Sequence, residues 1–115
     1  MAPAQSGPRS GPRRVAEVSV IDWHVHPKRE ERWYAVWSQI AERSLAFGAH
    51  SYSLTRSEDD PQHFRESAVW ESREDFQRYW TSDEVAAARE QVMPLYNKPL
   101  IPSWHTLLTS DWSRA

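Results

Sequence analysis

The chain has 115 residues, no cysteine and a formal charge of −2, from 14 basic and 16 acidic side chains. That length suits one domain with one core, and the absence of cysteine excludes a disulfide scaffold, a Cys-based zinc or iron–sulfur centre and thiol catalysis. The balanced charge leaves no overall basic footprint for nucleic acid, and no apolar run approaches the roughly 18 residues of a membrane span. Seven Trp, four Tyr and three Phe mark a folding chain rather than a disordered one. Residues 1–14 hold almost no large apolar side chain and read as a disordered arm, whose Arg9, Arg13 and Arg14 are either solvated or open to an acidic partner. The arm carries no apolar signal core, which points to the cytoplasm. The folded domain is expected over 15–110, with 111–115 as a tail.

Residues 15–26 read as a strand closed by Pro27, apolar on both alternating faces: Val18 and Val20 on one, Ile21, Trp23 and Val25 on the other. Residues 28–47 form a predicted helix, with Trp33, Trp37, Ile40, Ala41 and Ser44 at spacings of three and four, and Gly48 as its stop. A second strand follows over 49–56, a polar hairpin loop over 57–61 and a third strand over 64–70. Ser72 and Asp75 form a capping pair for a helix that presents Phe76, Tyr79 and Trp80 on one side. Ser82 caps its continuation through Val85, Ala88, Val92 and Leu95. Pro99 and Pro102 bracket the entry to a last strand over 103–109.

This order predicts an α+β, ferredoxin-like split βαβ fold (β-α-β-β-α-β), a four-stranded antiparallel sheet with helices on one face. Helices cover only one side of such a sheet, yet the first strand is apolar on both. A second copy of the sheet is the simplest cover, so a homodimer through the sheet face is expected, with Trp23 as an interface anchor.

Asp22, His24 and His26 alternate on the first strand and share a face. If that face borders a pocket, Asp22 can orient His24 as a general base. The competing reading puts His26 in water and pairs Asp22 with a neighbouring Arg. A His-x-His pair also suits a metal, but no third ligand accompanies it, and no metal is expected. Tyr79 and Trp80 occupy ordinary core spacing. As site residues, Tyr79 would offer its hydroxyl to a substrate carbonyl or phenolate while Trp70 or Trp80 stacks on the ring. Arg89 is either an anchor for an anionic group or a solvated helix residue. His105, on the last strand, points into the pocket or is structural; His50 and His63 are expected in solvent. No nucleophile elbow, HExxH or Gly-rich phosphate loop is present, so no nucleotide cofactor is expected.

The run Glu58-Asp59-Asp60-Pro61, then Phe64, then Trp70-Glu71-Ser72-Arg73-Glu74-Asp75-Phe76 resembles the antibiotic biosynthesis monooxygenase (ABM) domain. The likeness extends to His26-Pro27 and to the helix with Trp33 and Trp37, about residues 15–110 in all. The resemblance implies a dimeric α+β barrel with a pocket between sheet and helices in each subunit. Members of that family include cofactor-free oxygenases of aromatic polyketides and haem-degrading monooxygenases. Where the haem-degrading members place their iron-ligating His, their distorting Trp and their pocket Asn, this chain has Arg89, Tyr79 and Asp22. An arginine, always protonated, does not ligate iron, so haem degradation is not expected. Three functions follow as expectations: a cofactor-independent monooxygenase of an aromatic polyketide-like molecule, with molecular oxygen as co-substrate; a polyketide cyclase using His and Tyr; or a non-catalytic small-molecule-binding dimer. The candidate catalytic residues are Asp22, His24 and Tyr79, and the candidate substrate contacts Trp70, Trp80, Arg89 and His105.

Overall fold

A computed structural model of the protein describes residues 16–111. The arm over 1–14 and all of the tail after Asp111 lie outside the described residues. The strands are β1 (Glu17–His24), β2 (Ala49–Arg56), β3 (His63–Trp70) and β4 (Ser103–Thr106), and the helices α1 (Glu30–Glu42), α2 (Arg73–Thr81) and α3 (Asp83–Val92). Each paired strand runs antiparallel to its neighbour, in the order β2-β3-β1-β4. The α+β ferredoxin-like fold is therefore the one the pattern predicts.

The differences are local. The first helix tightens into a 3-10 turn over Arg43–Phe47. Gly48 ends that turn at φ 108°, where a Cβ would sit 3.1 Å from the Asp75 carboxylate. The second helix is two helices, because Ser82 takes an extended conformation that breaks α2 from α3. Its hydroxyl then accepts from the Val85 amide and opens α3, as Ser72 does from the Asp75 amide for α2. The last strand stops at Thr106 rather than 109. Among the described residues no helix is long and apolar enough to cross a membrane.

Side chains alternate across the sheet. Ser19, Ile21 and Trp23 of β1 face the helices together with Phe64, Glu66, Ala68 and Trp70 of β3. Val18, Val20, Asp22 and His24 face the other way, beside the half-buried or exposed His63, Arg65, Ser67 and Val69. This corrects the expectation that Trp23 anchors the bare face. Its ring is wholly buried, 4.6 Å from that of Trp37 and 5.3 Å from that of Trp33. The larger face of β1 meets the bulky rings that α1 presents, and the two valines are left outside. Trp23, Trp33, Trp37, Trp70 and Tyr79 are all 0% exposed and fill the space between sheet and helices.

Candidate functional site

Among the described residues, one charged side chain is fully buried between sheet and helices. Glu66 lies on β3 in phase with Phe64, Ala68 and Trp70, opposite Ile21 of β1 and Leu54 of β2, and is 3% exposed. Three ring side chains from three elements donate to it. The Trp37 indole N–H reaches Oε1 at 2.8 Å, the Trp23 indole N–H reaches the same oxygen at 3.4 Å, and the Tyr79 hydroxyl reaches Oε2 at 2.8 Å. The Tyr79 oxygen also lies 3.3 Å from the Ile40 carbonyl, a second acceptor for its one proton. Burial raises the Glu66 carboxyl above its ordinary value, and the three donors oppose that rise without cancelling it. Tyr79 is raised far above an ordinary phenol by burial first, then by the neighbouring carboxylate.

Beyond this cage the seam reaches solvent at Trp80. The ring is half-buried, stacks on Phe76 at 5.7 Å and 16°, and lies 6.1 Å from Trp37 and 6.4 Å from Trp23. The Arg89 guanidinium sits over Trp80, 4.7 Å from the ring centre, and one terminal nitrogen donates to the Trp80 carbonyl at 2.9 Å. Its Nε is buried and has no hydrogen-bond partner, an orphaned donor on a permanent cation. Tyr96 closes the same side, edge-on to Trp23 at 5.0 Å. Burial raises its hydroxyl and the charge of Arg89 opposes the rise. Trp104 of β4 packs edge-on against Phe76 at 5.0 Å.

The predicted site residues thus divide between two faces. Tyr79, Trp80 and Arg89 meet in the seam, with Trp70 behind them, its indole donating to Ser19 Oγ at 2.9 Å. Asp22, His24 and His105 lie on the opposite face of the sheet. Asp22 binds other partners than His24. His63 Nε2 is 2.7 Å from Oδ1, and Arg65 donates through Nε to Oδ1 at 2.9 Å. His24 instead stacks on the His63 ring at 4.6 Å. Burial pushes Asp22 upward, but the bonds and charges of Arg65 and His63 outweigh it and hold the carboxyl below its ordinary value. His63, expected in solvent, is half-buried by this contact. His105 pairs in register with Val18 and is exposed, so it does not reach the seam.

Sequence reading missed Glu66 and the partnership of His63 with Asp22. The signal for Glu66 is present in the alternation of 64–70, where a charged residue takes a core-facing position. A separate groove of about 410 Å³ runs beside α1 and β2, lined by Glu30, Glu31, Tyr34, Leu54, Arg56 and Phe64 among others, and contains none of the predicted site residues. The seam does not suit a haem: Arg89 offers iron no lone pair, and the His24 and His63 imidazoles lie across the sheet. Among the described residues no three His, Asp or Glu side chains converge as metal ligands.

Comparison with known proteins agrees with this architecture. The sequence profile of the family described as antibiotic biosynthesis monooxygenase matches residues 18–91. Solved structures superpose closely at low identity. One from Nitrosomonas europaea, provisionally described as an antibiotic biosynthesis monooxygenase, has a TM-score of 0.75 at 18% identity, covering 81% of this chain and 90% of its own. One from Caulobacter crescentus with the same provisional description gives 0.74 at 17%, over 84% and 92%. A Mycobacterium tuberculosis protein gives 0.72 at 19%, over 83% and 97%. No match is found among curated proteins.

Proposed function

Since this chain belongs to the antibiotic biosynthesis monooxygenase family, we propose that it is a cofactor-independent monooxygenase of a small, polyketide-like aromatic molecule bound as an anion at Trp80 and Arg89. One observation carries the reading: a half-buried arginine has its guanidinium carbon 4.7 Å from the ring centre of a half-buried indole, with its Nε buried and unpaired. A flat ligand with an ionised oxygen pairs with the part of that guanidinium that reaches solvent and packs beside the aromatic rings.

The chemistry asked of the protein is modest. The molecule loses its proton to solvent before it binds as an anion; pairing with Arg89 stabilises the resulting phenolate or enolate, and the apolar walls of Phe76, Trp80 and Trp104 strengthen that charge interaction by excluding water. The resulting carbanion is electron-rich and passes one electron to molecular oxygen; the radical pair then combines. For a CH2 group flanked by aromatic rings, two hydrogens leave and one oxygen atom becomes a carbonyl, while the second oxygen departs as water. Tyr79 serves here as wall rather than catalyst, its hydroxyl being engaged by Glu66. Asp22, His24 and His105 belong in this proposal to a homodimer contact on the bare sheet face, with Val18, Val20 and Val69.

Oxygen uptake with an anthrone, a polycyclic carbon acid of this type, tests the proposal. Arg89→Gln should lower kcat/KM by about tenfold or more, the loss of a charge-assisted hydrogen bond, with the fold intact. Uptake unchanged in R89Q overturns the assignment. Binding without uptake by the wild type points instead to a non-catalytic binding dimer, and conversion of a poly-β-keto substrate without uptake to a cyclase.

A further inference from the structure

We propose that Glu66 is a positioning residue for the Trp80–Arg89 site, holding the rings of Trp23, Trp37 and Tyr79 that form its inner wall; the inference rests on the reading of that site given above. A lone buried carboxylate is an expensive way to fill a core. An apolar side chain would occupy the same place between Ile21 and Leu54 with no desolvation. What an apolar side chain lacks is a pair of acceptor oxygens on which polar-tipped rings from β1, α1 and α2 converge. Two of those rings, Trp23 and Trp37, lie against Trp80, and Tyr79 is its chain neighbour, 6.3 Å away between ring centres. The orientation of the indole beneath Arg89 is therefore set by rings that Glu66 ties down.

The hydrogen-bond inventory also locates the proton when Glu66 is neutral. Oε1 receives only indole N–H groups, which cannot accept, so a proton there has no acceptor. Oε2 faces a phenol, which both donates and accepts. The Oε2–H of the neutral carboxyl donates a hydrogen bond to the Tyr79 oxygen, and the Tyr79 hydroxyl turns to donate to the Ile40 carbonyl at 3.3 Å. All three rings stay bonded in either charge state. The groups facing Glu66 are Ile21 and Trp23 from β1, Leu54 from β2, Trp37 and the Ile40 carbonyl from α1, and Tyr79 from α2. Of these only Tyr79 titrates, so among the described residues no cation pairs with the carboxylate.

Glutamine reproduces the neutral arrangement, with a carbonyl for the two indoles and an N–H for Tyr79, whereas leucine reproduces none of it. Titration of the full chain with 2-naphthoate, followed by tryptophan fluorescence, uses that difference. E66Q should bind within about threefold of wild type, and E66L about tenfold more weakly or worse, the loss that follows when two buried N–H groups are stranded. E66L need not melt lower, because it also removes an uncompensated buried charge. Weaker binding at an unchanged melting temperature is what a merely structural residue would not produce. Trp37→Phe keeps a ring and deletes one donor, and should weaken binding even if E66L fails to fold. Wild-type affinity in W37F, and in E66L where it folds, overturns the inference alone. No binding by the wild type overturns it together with the reading of the site.

Discussion

Asp22 and Glu66 sit on paired neighbouring strands, one residue out of register with each other, and face opposite sides of one sheet. Inside, Glu66 is held by neutral donors and burial raises its carboxyl. Outside, Asp22 is held by a permanent cation and an imidazole, at 35% side-chain exposure, and sits below its ordinary value. The same functional group thus acquires opposite acidity within one ladder of hydrogen bonds. What decides is the side of the pleat, because that fixes whether the compensating partners are charged and wet or neutral and dry.

The sharpest way to break this contrast is to put a charge on each face. Trp23→Asp places a new carboxylate against Trp33 and Trp37 and beside the buried Glu66, and should abolish folding, seen as loss of near-ultraviolet circular dichroism. Val20→Asp, three residues earlier and on the other face, should fold normally and sediment as a monomer. A folded W23D protein would reverse the assignment of faces, and a dimeric V20D protein would remove the homodimer from the bare face.

A smaller effect comes from deleting each carboxylate. Glu66→Ala strands two indole donors and leaves a cavity, a loss of about 2–4 kcal/mol in urea unfolding. Asp22→Ala removes a half-exposed ion pair worth about 1 kcal/mol or less. Equal losses would show that the cage holds no tighter than the outer cluster.

The smallest effect is in the slope of stability with pH, and its sign differs between the faces. Glu66 has a folded value raised above 4.5, so its contribution is complete below 4.5 and is lost as pH rises through the folded value. Asp22 is lowered below 3.8, so its contribution is present above 3.8 and is lost as pH falls through the folded value. E66Q should flatten the slope on the alkaline side and D22N on the acid side, each measured by unfolding at a series of pH values. Flattening on the same side in both variants would contradict the opposite environments.

Much of this protein was legible in its residues. The period of two in 15–26 and 64–70, the spacing of three and four in Trp33, Trp37 and Ile40, and the serine caps at 72 and 82 each depend on neighbours in the chain, and each describes a real element. The stretch around Trp70–Phe76 also carried the family. Arg89 and Trp80 were identified as candidates, and the structure brings them together because α2 and α3 turn at Ser82.

Which face of β1 looks inward was not decided by the strand itself, since both its faces are apolar. The volume of the rings on α1 decided it, a match between surfaces distant in sequence, and it carried Asp22 and His24 away from the seam. Nor could spacing reveal the partners of Glu66. Its donors come from positions 23, 37 and 79, and their convergence exists only once sheet and helices have packed. Local periodicity determines which elements form, because backbone and nearest side chains settle it. Packing alone determines which charges meet, because a buried carboxylate takes its character from groups that the chain brings close only in three dimensions.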